Sequence, residues 1–192
     1  MLKINLLSTE KEKIGLILIV SYFIIPEISL LLIVLYFFVL NQEKKIYYLK
    51  EKIKDFVSIL LFFIPVIYII SLTTKALLPD YQEQRIVNEI KQSGVISMRL
   101  ITSILITAPI IEEIIFRSIL YRYLKKYTTM LCSSIIVAVS FSIIHQNILA
   151  STVLFTLSIF LTIVYEKFGN ILFPIAVHIL FNSIMLILML YN

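Results

Sequence analysis

The chain has 192 residues, of which 60% are hydrophobic and only 15% are charged, and its mean hydropathy is +0.99. A soluble domain needs a water-facing surface and cannot have this composition, so we expect lipid to solvate the chain. The net charge of +5 comes from Lys and Arg in short connectors, which excludes a nucleic-acid-binding face and indicates topology signals and contacts with membrane lipid.

Residues 1–94 are predicted to hold N-terminal membrane helices and an amphipathic segment. The first apolar stretch, Ile14 to Leu40, is longer than a signal-peptide core and indicates an uncleaved anchor. Because Pro26 and Glu27 lie at its centre, it is either one kinked helix or a re-entrant hairpin. These two alternatives leave the topology of the N-terminal part open.

Two further elements are predicted before residue 95. A basic connector, Asn41 to Asp55, leads into an apolar run from Phe56 to Leu78, which predicts a membrane helix. The segment Tyr81 to Gly94 is polar with apolar residues at helical spacing, so it is predicted to lie as an amphipathic helix at the membrane surface.

Residues 95–192 are predicted to form a core of four apolar helices, which makes the fold class an all-α polytopic transmembrane helix bundle. The four helices are predicted at Ser97–Leu124, Met130–Gln146, Ile148–Tyr165 and Ile171–Leu190. Their connectors are short, so neighbouring helices run antiparallel. The positive-inside rule puts the connectors after the first and third of these helices in the cytoplasm.

Ionisable side chains interrupt three of these four helices. A charged residue costs roughly 2.5 to 3.5 kcal/mol at the centre of a membrane helix, so such residues usually have a function. The three clusters are Glu112-Glu113 with Arg117, Phe141 with His145, and His178 with Asn182. Both histidines of the chain belong to them.

Helical spacing predicts how the clustered side chains are oriented. Glu113 and Arg117 are four residues apart and are predicted to form an ion pair, whereas Glu112 points elsewhere. His178 and Asn182 share a face and can act on one ligand together. Phe141, one turn before His145, is predicted to wall the same cavity, and Pro109 can kink the helix and open space beside Glu112.

Three functions are compatible with these clusters: a buried polar knot between helices, a proton relay in a carrier, and peptide hydrolysis. Peptide hydrolysis uses the residues of all three clusters. A carboxylate in a low-dielectric cavity can take a proton from water while an imidazole orients that water. His178 and Asn182 can supply the hydrogen-bond donors that the oxyanion requires.

The ordered motifs Glu112-Glu113-x3-Arg117, Phe141-x3-His145 and His178-x3-Asn182 resemble the signature of the CAAX prenyl protease and bacteriocin-processing (CPBP, or Abi) family of intramembrane proteases. The resemblance implies a catalytic four-helix core, with Glu112 as general base and His145 as its partner in water activation. It also implies that His178 and Asn182 stabilise the oxyanion and that Glu113 and Arg117 form a supporting pair.

The resemblance leaves the cofactor open, because the family is often labelled metal-dependent. Two histidines and a glutamate, namely Glu112, His145 and His178, could form a zinc set with an open position. The same residues explain a metal-free mechanism, which we favour, so no metal is assigned. Ser118 stands where many members of the family have Gly.

We therefore expect an intramembrane endopeptidase in a bacterial cell membrane. Its substrate would be a peptide precursor or a membrane-anchored protein, as in CAAX-type processing, bacteriocin or signal-peptide processing, or self-immunity. The alternatives are a non-proteolytic bacteriocin-immunity or scaffold protein and, less favoured, a proton-coupled carrier. The carrier is disfavoured because the chain shows no repeated halves.

Overall fold

The computed structural model describes residues 13–21, 32, 49–77 and 97–191, and the regular structure within them is helical throughout. The all-α class is therefore confirmed for this part of the chain. The predicted amphipathic segment 81–94 lies outside the described residues, as do Pro26 and Glu27 and most of the connector before residue 49. Residues 13–21 form helix α1.

Helix α2, Leu49–Leu77, begins earlier than the predicted Phe56. The Lys- and Glu-rich stretch before Phe56 consists of good helix formers, so the helix extends through it. One face of α2 packs on the helix Ile148–Phe168, where the rings of Phe63 and Phe160 stack with centroids 3.4 Å apart.

Helix α3 spans residues 98–124 and begins where the Ser97 hydroxyl accepts a hydrogen bond from the backbone N–H of Leu100. Its hydrogen-bond register changes along its length. α-Helical and π-helical segments alternate in the order Met98–Thr102, Ser103–Thr107 (π), Ala108–Glu113, Ile114–Tyr121 (π) and Arg122–Leu124. The prediction of one helix here is confirmed, but its two π-helical segments, one on either side of the glutamates, were not expected.

Three more helices follow: α4 (Met130–Ile144), α5 (Ile148–Phe168) and α6 (Leu172–Tyr191). Thr129 and Asn147 cap the first two by accepting hydrogen bonds from the N–H groups of Cys132 and Ala150. Gly169, at a φ of 63°, ends α5 in the left-handed conformation that a residue without Cβ adopts readily.

The predicted end of α4 at Gln146 is wrong, because the helix stops at Ile144. Gln146 has a φ of 49° and therefore leaves the helical path, and Asn147 already caps the next helix. His145 consequently lies at the C-terminal end of α4 and not inside it.

Helix α5 lies at the centre of the described fold, where it packs against α2, α4 and α6, while α3 packs against α4 and α6. Leu157, Leu161 and Val164 of α5 are completely buried. Within the described ranges, Lys52–Thr74 and Ala150–Phe168 are long and apolar enough to cross a membrane, and Met130–Ile144 and Leu172–Leu188 are shorter apolar helices. That these helices form a polytopic bundle with a four-helix catalytic core stays a prediction.

Candidate functional site

The two glutamates occupy the α-helical segment between the two π-helical segments of α3. Adjacent residues of a helix point about 100° apart, so the two carboxylates meet different neighbours. The Glu113 side chain is completely buried, whereas 25% of the Glu112 side chain is exposed. Glu113 is thus an interior group, whereas the Glu112 side chain is partly exposed although its Oε2 atom is buried.

Glu113 is held by two hydrogen bonds inside the protein. Arg117 Nη1 donates to Glu113 Oε1 over 3.0 Å, so the ion pair expected from the i,i+4 spacing is present. His178 Nδ1 lies 2.9 Å from the same oxygen. Both bonds go to Oε1, while Oε2 of Glu113 has no hydrogen-bond partner among the described residues. The buried pair with Arg117 favours a structural role for Glu113.

Ser158 on α5 also anchors the guanidinium, although Arg117 Nε has no hydrogen-bond partner among the described residues. Arg117 Nη2 donates to the Ser158 hydroxyl over 2.9 Å and to its backbone carbonyl over 3.0 Å. Ser158 is itself completely buried. This residue was not predicted from the sequence, since a serine in an apolar helix ordinarily bonds its own preceding turn and nothing in the local pattern distinguishes Ser158.

Glu112 faces both imidazoles. Its Oε2 atom lies 3.6 Å from Nε2 of His178 and 3.9 Å from Nε2 of His145, and it makes no hydrogen bond to any described residue. The two motif histidines, which lie in separate parts of the sequence, are therefore brought together around one carboxylate oxygen. Both separations are longer than a hydrogen bond.

The other ring nitrogen of each histidine determines which tautomer is present. His145 Nδ1 lies 2.7 Å from the Phe141 carbonyl, which can only accept a hydrogen bond, so Nδ1 carries the proton. His178 Nδ1 faces the carboxylate of Glu113 and carries the proton for the same reason. In the neutral form, each Nε2 therefore presents a lone pair toward Glu112.

Phe141 packs between the charged groups. Its completely buried ring lies 4.8 Å from the ring of His145 and 5.8 Å from that of His178, measured between centroids. The guanidinium carbon of Arg117 is 5.3 Å from the centroid of the same ring, within cation–π range. Phe141 thus contacts both imidazoles, and its role as a cavity wall stays a prediction.

The hydrogen bond of Asn182 goes to neither of the two glutamates. Its Nδ2 atom donates to the backbone carbonyl of Ile104 over 2.9 Å, in the first π-helical segment of α3. His178, one turn earlier on the same face of α6, reaches Glu112 and Glu113 instead. The two residues expected to act on one ligand therefore hold two different parts of α3.

The zinc set considered above was Glu112, His145 and His178. Among the residues described, no group of three His, Cys, Asp or Glu side chains is arranged to hold a metal ion. Glu112 also offers a single oxygen to both imidazoles, at separations of 3.6 and 3.9 Å. No metal site is therefore assigned to Glu112, His145 and His178.

The remaining chemistry is that of a carboxylate with two imidazoles. Glu112 is the member of the glutamate pair whose charge Arg117 does not neutralise by direct contact, and 25% of the side chains of both Glu112 and His145 is exposed. A carboxylate base beside an imidazole can activate a bound water for attack on a carbonyl carbon. Such a site requires no serine or cysteine nucleophile.

Comparison with known proteins gives one family match. No curated protein matches the chain. No solved structure matches it either. Residues 94–184 match the model of the family described as type II CAAX prenyl endopeptidase Rce1-like, and this range includes all three motifs. This region, which extends from the start of α3 through most of α6, is similar to the Rce1-like family of type II CAAX prenyl endopeptidases, and the match supports the CAAX protease assignment.

Proposed function

We propose that the chain is a multi-pass intramembrane endopeptidase of the bacterial cell membrane, in which Glu112 activates the water that hydrolyses a peptide bond. The family is one of proteases that are integral membrane proteins. The observation that carries the proposal is the position of Glu112, whose free carboxylate oxygen faces Nε2 of both His145 and His178.

The proposed reaction starts with a water between Glu112 Oε2 and the Nε2 atom of His145. The imidazole orients the water by accepting one hydrogen bond, and Glu112 takes the other proton as the water oxygen attacks the peptide carbonyl carbon. The carbonyl π electrons move to the oxygen and create an oxyanion. The C–N bond then breaks, and the leaving amine takes the proton from Glu112.

His178 and Asn182 are the proposed donors to the oxyanion. His178 donates from Nε2 when it is an imidazolium, a form in which Nδ1 still donates to Glu113. Asn182 has a second amide hydrogen that is not given to Ile104. Glu113 and Arg117 support the site by fixing the ring of His178 and, through it, the groups around Glu112.

The proposed substrate is a membrane-anchored protein or a peptide precursor, and no metal is required. CAAX-type prenylated chains and bacteriocin or signal-peptide precursors both satisfy this description. Glu112 and His145 lie at the accessible edge of the site, whereas His178 is almost completely buried, with 3% of its side chain exposed. A peptide would therefore approach from the side of Glu112 and His145.

The proposal is tested with purified protein in detergent and a panel of quenched peptides, each made with and without a prenyl group. We expect cleavage of at least one peptide by the parent, and its loss in Glu112→Gln, His145→Ala and His178→Ala proteins that remain folded. A prenylated peptide cleaved in preference to its unmodified partner would identify a CAAX-type substrate.

Peptide cleavage, together with a bacteriocin-protection assay and a flux assay, separates the alternative functions. A folded parent that cleaves no peptide, together with bacteriocin protection that persists in Glu112→Gln, would replace the protease by a binding or immunity protein. Substrate flux across proteoliposomes without any peptide product would indicate the carrier.

A further inference from the structure

Asn182 and Pro109 are linked by the hydrogen-bond register of α3. In a π-helical segment each backbone carbonyl bonds the N–H group five residues later. The bond from Ala108 N–H to the Ser103 carbonyl follows this rule. The next carbonyl is that of Ile104, and its partner in the same register would be residue 109.

Residue 109 is a proline and has no N–H group. The carbonyl of Ile104 is therefore left without its donor in the π-helical register, at a point where α3 packs against α6. A carbonyl with no donor in a segment that faces lipid and protein is costly. The structure supplies a donor from another helix, because Asn182 Nδ2 donates to this oxygen over 2.9 Å.

We propose that Asn182 is a positioning residue that takes the place of the missing Pro109 N–H, and so holds the π-helical segment before the glutamates against α6. This inference deepens the proposed function and rests on it only for its effect on catalysis. The next segment, Ala108–Glu113, carries Glu112, and one turn from Asn182 on α6 is His178. A hydrogen bond at this place fixes the relative position of the two helices that form the site.

A double-mutant cycle tests the substitution of one donor by the other. Asn182→Leu removes the amide, and Pro109→Ala restores a backbone N–H at position 109. In the parent background we expect Asn182→Leu to lower the Tm in detergent by about 3 °C and kcat by about tenfold. In the Pro109→Ala background the Tm loss should shrink to less than half and part of the kcat loss should be recovered, because the helix then satisfies the Ile104 carbonyl itself. The part of the kcat loss that comes from the missing oxyanion donor should remain.

Ser183→Ala is the matched control. Ser183 is the neighbour of Asn182 on α6 and is also half-buried, but its hydroxyl donates to the Ile179 carbonyl of its own helix. Its effect on Tm should be the same in the parent and in the Pro109→Ala background. If Asn182→Leu does not fold, Asn182→Ala removes the same donor without adding bulk and enters the cycle in its place.

The outcomes separate this inference from the proposed function. Equal Tm losses for the Asn182 variant in the two backgrounds would overturn the inference, whatever the protease activity. Coupled Tm values without any recovery of kcat would also overturn it, since the bond to Ile104 would then not position the site and Asn182 would affect kcat only as an oxyanion donor. If the parent cleaves no peptide, the proposed function fails, and the Tm cycle alone decides whether Asn182 replaces the Pro109 donor.

Discussion

Arg117 and Glu113 are a completely buried ion pair in an apolar environment. Removing one partner leaves the other charged and without its counterion, so we expect Arg117→Met to cost about 3 to 5 kcal/mol of stability. The double variant Glu113→Gln/Arg117→Met should cost less than Arg117→Met alone, because no charge is then stranded and the glutamine oxygen can still accept from His178.

The measurement is chemical or thermal unfolding in detergent. A double variant as unstable as the sum of its two single variants would contradict this account of the pair.

Ser158 provides a milder test of the same network. Ser158→Ala removes the hydroxyl that accepts from Arg117 Nη2 but keeps the carbonyl that accepts from the same nitrogen. A loss of about 1 to 3 kcal/mol is expected, since the guanidinium loses one of its buried acceptors. Ser140→Ala is the control, because that exposed serine donates only to its own helix, and its stability should change little.

The measurement compares the unfolding transitions of these two alanine variants with that of the parent. Similar transitions for Ser158→Ala and Ser140→Ala would show that the Ser158 hydroxyl does not stabilise Arg117.

The residues of the site were predictable where side chain and partner lie on one helix. The pairing of Glu113 with Arg117 follows from their spacing, and the different direction of Glu112 follows from the same geometry. Ser158 was not predictable, because its partner lies on another helix and no local pattern marks it. The hydrogen bond of Asn182 to a backbone carbonyl was missed for a similar reason. Every residue has such a carbonyl, so the sequence does not indicate which one accepts a bond.

At the scale of elements, α2 is attached to the core by one face. Phe63 is 5% exposed and stacks on Phe160, whereas its neighbour Phe62 is 74% exposed. Lys52 adds a hydrogen bond over 2.8 Å to the Phe168 carbonyl at the end of α5. Phe63→Ala should therefore destabilise the packing of α2 on α5 by about 1 kcal/mol, because an aromatic pair is lost.

Phe62→Ala is the matched substitution on the opposite face, and we expect it to leave stability unchanged. The comparison is made by unfolding in the same detergent. A loss in Phe62→Ala as large as that in Phe63→Ala would mean that the other face of α2 is also packed.

The helices themselves were predictable from apolar runs, and α4 and α5 begin at the predicted Met130 and Ile148. Three features were not. The stretch before Phe56 was interpreted as a charged connector, although its residues are good helix formers, so the early start of α2 was missed. The early end of α4 depends on the left-handed conformation of Gln146. The two π-helical segments depend on how α3 packs against α4 and α6, which a hydrophobic period near that of an α-helix does not reveal.

At the scale of the whole molecule, several contacts lie at one end of the described fold. Lys125 after α3 bonds Glu166 near the end of α5, and Lys167 lies 3.9 Å from Asp55 of α2. Both connectors that the positive-inside rule assigns to the cytoplasm are therefore at the same end. Residues 98–124 are about 40 Å long, which is enough to cross a hydrocarbon core of about 30 Å.

Cysteine labelling tests this topology. In a Cys132→Ser background, Met98→Cys and Lys126→Cys place single thiols at the two ends of α3. A membrane-impermeant maleimide should label the residue 98 thiol in intact cells and the residue 126 thiol only after lysis. Labelling of both thiols in intact cells, or the reverse pattern, would contradict the proposed orientation.

The central claim about this chain is that Glu112, and not Glu113, is the carboxylate that activates water. The most direct measurement compares the peptide cleavage rates of Glu112→Gln and Glu113→Gln with their Tm values in detergent. We predict that Glu112→Gln lowers kcat by at least about 100-fold. The Tm should be unchanged or raised, because Oε2 of Glu112 has no hydrogen-bond partner among the described residues that the substitution could break. Glu113→Gln should instead lower the Tm by breaking the pair with Arg117. A Glu112→Gln protein that cleaves at the rate of the parent would contradict the account.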